Sequence, residues 1–275
     1  MRHHIWLLAC VLLLPASTAW GYRPFVSTDA AVANPRELEV ELGYFALERN
    51  NEANTFIVPK VVLNYGIVRD LEVVGEFEVA KPPGRGAQLI DPGLFLKAVL
   101  KEGVLQEKEG MGFAVEAGPL LPSTVKGEQR LGFEGIGILS GRLASFTYHL
   151  NAGGGVNRER ANPFVIWGMI VELPVFQNFR LVGEINGESA KGRLPDNSGL
   201  IGFIWQPPPS KVMIDAAIRR GFSSSAPDWQ FTVGLTFSLP ITPILNDRPL
   251  PTRPVELGVV DLLPWAEIDA TTASR

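Results

Sequence analysis

Past its first twenty residues the sequence has no cysteine, a single histidine, no run of lysine or arginine beyond the pair Arg219-Arg220, and no uninterrupted apolar stretch of membrane-helix length. Each absence removes a class of protein. Without cysteine there is no disulfide scaffold, so the fold must hold by strand pairing and burial. One histidine and no cysteine leave scattered carboxylates without metal-ligand spacing, and no cofactor is indicated. Without clustered positive charge there is no footprint for nucleic acid. No later segment reaches the roughly eighteen apolar residues of a transmembrane helix. Gly153-Gly154-Gly155 lacks the lysine and following helix of a phosphate loop.

What is present starts at the N-terminus. Met1-Arg2-His3-His4 is followed by an apolar run from Ile5 to Leu14 and by Pro15-Ala16-Ser17-Thr18-Ala19-Trp20-Gly21. Basic start, short apolar core and small-residue end are the order of a secretory signal peptide, predicted here over residues 1–21. The core is half the length a bilayer-spanning helix needs. Cys10 lies within it, after too little apolar chain to be a lipid-anchored residue.

Two-residue alternation dominates the remainder. Glu37-Leu38-Glu39-Val40-Glu41-Leu42 sets carboxylates against apolar side chains on opposite faces of a pleated strand. Near the end, Trp229, Phe231, Val233, Leu235, Phe237 and Leu239 share one face, and Gln230, Thr232, Gly234, Thr236 and Ser238 the other. Between them the pattern predicts strands over 55–65, 70–80, 93–101, 112–120, 130–139, 143–154, 163–173, 178–188, 199–206 and 211–220. The predicted fold is all-β: a closed antiparallel transmembrane barrel of about 12 strands over 35–239, apolar outward and polar inward, in a bacterial outer membrane.

Even-numbered connections are short and odd-numbered ones longer, as in barrels with tight periplasmic turns and long external loops. The stretch 102–111 breaks this rule by being long where a turn is expected. Residues 22–34 are expected to be a periplasmic lead-in, and 240–275, with six prolines, an irregular periplasmic tail.

The start of the mature chain, Tyr22-Arg23-Pro24-Phe25-Val26-Ser27-Thr28-Asp29-Ala30, together with 37–45, Asp91-Pro92-Gly93 and the Val-Gly-Glu elements at 74–76 and 182–184, resembles a known family. It is a family of outer-membrane proteins labelled as transporters and first named through the MetA pathway of phenol degradation. The resemblance covers about 22–239 and implies a barrel that admits small solutes, aromatic or apolar compounds included.

Alternation points Glu41, Glu76, Glu116, Glu134, Glu184 and Asp215 inward, with Lys97, Arg180, Arg219 and His149. Rings of such groups set ion preference in a pore, and surplus carboxylate favours cations. The same charges can instead pair across the lumen and fill it, giving a closed structural or adhesive barrel. A lipid hydrolase would need a nucleophile for His149 from another strand, because Ser145 on its own strand is roughly 13 Å away along the chain. A soluble β-sandwich would need polar outer faces. The expected partners are the bilayer and a small-molecule solute, and nothing indicates an oligomeric state.

Overall fold

The computed structural model describes residues 24–50 and 53–241, apart from the side chains of Tyr44, Phe45 and Asn50. The signal peptide predicted over 1–21 and almost all of the proline-rich tail therefore lie outside the described residues. Twelve strands follow in order: β1 Glu37–Asn50, β2 Ala53–Val68, β3 Leu71–Lys81, β4 Gln88–Lys101, β5 Gly112–Leu120, β6 Gly132–Leu143, β7 Phe146–Val156, β8 Pro163–Phe176, β9 Phe179–Ala190, β10 Asp196–Trp205, β11 Met213–Gly221 and β12 Trp229–Pro240. Each pairs antiparallel with its sequence neighbours, and β1 pairs with β12 from Glu37 opposite Pro240 to Arg49 opposite Trp229. The barrel is closed. Closure is what hydrocarbon demands, since an open edge would leave unpaired backbone groups at several kcal/mol each.

Alternation decides which way each strand faces. On β8, Phe164, Gly168, Ile170 and Glu172 are buried, whereas Val165, Trp167 and Met169 are exposed. Leu181, Ile185, Ile201, Phe231 and Val233 continue the apolar outer surface on β9, β10 and β12. Large apolar side chains turned outward around a polar interior are the inverse of a soluble sandwich and form a lipid-facing belt.

The predicted strands all occur, but several run longer than their alternation alone indicates. β4 begins at Gln88 and passes through Asp91 and Pro92, which bulge opposite β3 between the pairs Glu76–Gly93 and Glu78–Ile90. Asp91 takes a left-handed φ of 47° there. An extra residue shifts the side-chain parity, and a proline without an N–H fits where a ladder bond is missing. Pro59 and Pro174 likewise fall at register shifts in β2 and β8. The first connection, one of the odd-numbered ones expected to be longer, is only 51–52, because β1 and β2 keep pairing as far as Asn50 and Ala53.

The exceptional connection 102–111 contains a 3-10 turn, Val104–Gln106. Leu105 packs on Ala30, Ala114 and Ile138, so this connection folds inward over the barrel's short-turn end. Residues 24–34 stay out of the wall, but they do not lie free at its short-turn mouth. They cross the lumen.

Candidate functional site: the lumen and the segment across it

The crossing segment starts with Phe25, buried among Ile170, Val182, Leu200, Ile204, Met213 and Ala217 of β8 to β11. It ends beside β2, where Arg36 N–H donates to the Gly66 carbonyl at 2.7 Å. Between these anchors, side chains of the wall take up its main chain. Glu184 accepts from the N–H groups of Val26 (3.1 Å) and Ser27 (2.7 Å). Asn151 forms a two-way amide pair with Thr28, accepting from its N–H at 3.0 Å and donating to its carbonyl at 2.7 Å. Ser140 Oγ accepts from Ala30 N–H at 2.9 Å, Gln106 donates to the Ala30 carbonyl at 2.8 Å, and Glu72 accepts from Ala33 N–H at 2.6 Å. Buried backbone groups require such partners, and here most of them come from four different strands.

Charges hold the receiving side chains. Arg219 donates to Glu184 at 2.6 Å and to Asn186 and Ser198 at 2.5 and 2.9 Å. Lys97 lies 3.5 Å from Glu72 and 3.6 Å from Asp29, and donates to Thr28 Oγ1 at 3.2 Å. Arg180 pairs with Glu172 at 2.9 Å.

His149 sits in a chain of three. Ser140, directly opposite it on β6, places Oγ 2.7 Å from Nδ1, and the Glu172 carboxylate lies 3.5 Å from Nε2. With the ring proton on Nε2 facing Glu172, Nδ1 accepts from the Ser140 hydroxyl. The second strand thus supplies the serine that β7 lacks. Ser140 is nevertheless fully buried and its oxygen is engaged by Ala30 N–H. An acyl group has no approach to it, and the trio acts as a clamp on the segment.

Around the segment, from the short-turn end toward the longer loops, lies a cavity of about 860 Å³ that the segment itself helps to line. Glu41, Glu76, Glu116, Glu134, Lys97 and Arg219 line it. His149, Arg180, Glu184 and Asp215 also point inward, but they are not part of its lining. Among the described residues, eighteen aspartates and glutamates line this space against six lysines and arginines. Some are paired, as Lys60 with Glu78 at 2.6 Å, and Asn64 donates to Glu41 at 2.8 Å. At the loop end Arg158 joins Asp91 at 3.1 Å to the carbonyls of Leu121 and Pro92 at 2.7 and 2.9 Å. Pairing all six cations would still leave a large anionic surplus.

Sequence reasoning missed several of the residues that meet the segment: Glu72, Ser140 and Gln106. Alternation along β3 already marks Glu72 as inward, but nothing in the aperiodic stretch 22–34 signals that it seeks acceptors inside the barrel.

Sequence comparison finds no matching family model and no matching curated protein. Structural comparison does find likenesses. An outer membrane channel from Pseudomonas putida F1 superposes with a TM-score of 0.52 at 9% identity, over 76% of this chain and 97% of that one. The outer membrane channel DcaP of Acinetobacter baumannii gives a TM-score of 0.33 at 8% identity, over 76% and 100% of the respective chains. With its closed wall and apolar outer belt, the chain has the twelve-stranded antiparallel fold of an outer-membrane β-barrel.

Proposed function

We propose that this barrel is an outer-membrane channel for small solutes whose lumen favours cations, exported by the signal segment 1–21. The observation that carries the reading is the threefold surplus of carboxylates over basic side chains on the cavity wall. In a confined, low-dielectric passage such a surplus raises the local concentration of cations and repels anions. It favours hydrated or amphiphilic cations over the neutral aromatic or apolar solutes that the family resemblance implies.

The segment 24–34 supports a second reading, a closed barrel, because it occupies the lumen at the short-turn end. Currents separate the two. The mature protein in planar bilayers under a potassium chloride gradient is expected to give stepwise currents with a cation-selective reversal potential. Anion-selective or unselective currents would refute the charge argument, and silence from a verified folded barrel would establish the closed one. No hydrolytic activity is assigned, because the Ser–His–Glu arrangement found among the described residues is sealed by Ala30.

A further inference from the structure

We infer that the short-turn half of the lumen is a binding site for an extended peptide, with residues 25–33 as its resident occupant. The inference names a solute class for the channel proposed above and rests on that reading.

Main-chain recognition carries it. Five N–H groups and two carbonyls between Val26 and Ala33 meet side chains of the wall or of the 3-10 turn. Contacts of that kind belong to any peptide, whatever its sequence, as in other modes of extended-chain recognition. The segment's own side chains contribute four contacts, Phe25 in its apolar pocket, the Thr28 hydroxyl and Asp29 beside Lys97, and the small Ala30 against Ala114 and Ile138. Its remaining residues include two alanines among 31–33.

The receiving groups are also held independently of the occupant. Glu184 is oriented by Arg219, Ser140 by His149, and Glu72 by Lys97. A receptor arranged in advance loses little on binding and is what a ligand site requires. The wall even leaves room for the chain: a Cβ at Gly168, on the inward face of β8, would collide with Ser27 Oγ. The acidic cavity adjoining the site adds a charge preference, so a ligand with an aromatic residue, small residues after it and a free ammonium or basic side chain matches it best.

The test uses a fluorescent, amidated peptide of sequence 24–34 and the full mature chain refolded in detergent. The substitutions Phe25→Ala and Asp29→Asn loosen the resident segment without touching the wall, and heat-modifiable gel migration verifies the barrel. Fluorescence anisotropy should show saturable binding at least about tenfold tighter to the double variant than to the wild type, because the resident no longer competes. A peptide N-methylated at the positions of Ser27, Thr28 and Ala30 should bind at least about tenfold more weakly, having lost three main-chain donors. Asn151→Leu in the double-variant background should weaken the unmodified peptide similarly. Absence of saturable binding to the folded double variant, or equal binding of the N-methylated peptide, overturns the inference. Currents without peptide binding would leave the channel standing and sink this site; peptide binding without currents would do the reverse.

Discussion

Arg219 and Gly168 show how single positions inside the barrel serve the crossing segment rather than the wall. Arg219 holds Glu184, whose two oxygens receive Val26 and Ser27. Arg219→Leu would leave that carboxylate buried without its counter-charge, a loss of about 3–5 kcal/mol. Urea unfolding of the vesicle-inserted protein measures it, and a change under about 1 kcal/mol would mean that Glu184 is hydrated after all. Gly168→Val presses a side chain onto Ser27 while leaving the β7–β8–β9 ladder intact. Its expected result is a larger single-channel conductance at unchanged barrel stability. Conductance identical to wild type would show that the segment does not limit flow. Glu184, a pore-lining candidate by alternation, belongs with this machinery, so the selectivity test belongs to Glu76 and Glu134 instead.

Among the elements, β10 exposes the division between two solvents most plainly. Ile201 is 73% exposed on its outer face, while the adjacent Leu200 is 2% exposed and packs against Phe25. Ile201→Arg, placed mid-strand, should destabilise the membrane-inserted barrel by about 2–4 kcal/mol, read from the shift in its denaturant midpoint in lipid vesicles. An effect near zero would place that face in water. The connection 102–111 follows the same logic from within: it is long because it must reach the lumen, where Gln106 donates to the Ala30 carbonyl and Leu105 meets Ala30. Shortening it to a tight turn should spare the β4–β5 pairing and loosen the segment, seen as faster proteolysis near residue 30 of the folded barrel. Unchanged protection would separate this connection from the segment.

At the scale of the molecule, a formal net charge of −4 conceals a strong partition. The cavity collects eighteen acidic side chains against six basic ones. Combined Glu76→Gln and Glu134→Gln is expected to move the reversal potential toward the unselective value, and an unmoved potential would count against their place in the ion path. Screening provides an independent handle, since the Debye length falls from about 10 Å at 0.1 M salt to about 3 Å at 1 M. Cation preference should therefore shrink between those concentrations; selectivity that survived 1 M salt would point to a size filter rather than to surface charge.

The sequence by itself determined the all-β class, the count of about twelve strands and their apolar-out, polar-in alternation, because a strand's two-residue period is local. Strand limits were less legible. Asp91-Pro92 interrupts the pattern as a break would, but the partner strand continues past it and absorbs it as a bulge. Only the tertiary structure decided what lies inside. Ser140 meets His149 because β6 and β7 pair in one particular register, and Glu72, Asn151 and Glu184 converge on 24–34 from positions far apart in the chain. A segment without periodicity carries no mark of its destination; its place follows from acceptors that the closed wall gathers around the barrel axis, where its backbone donors would otherwise go unpaired.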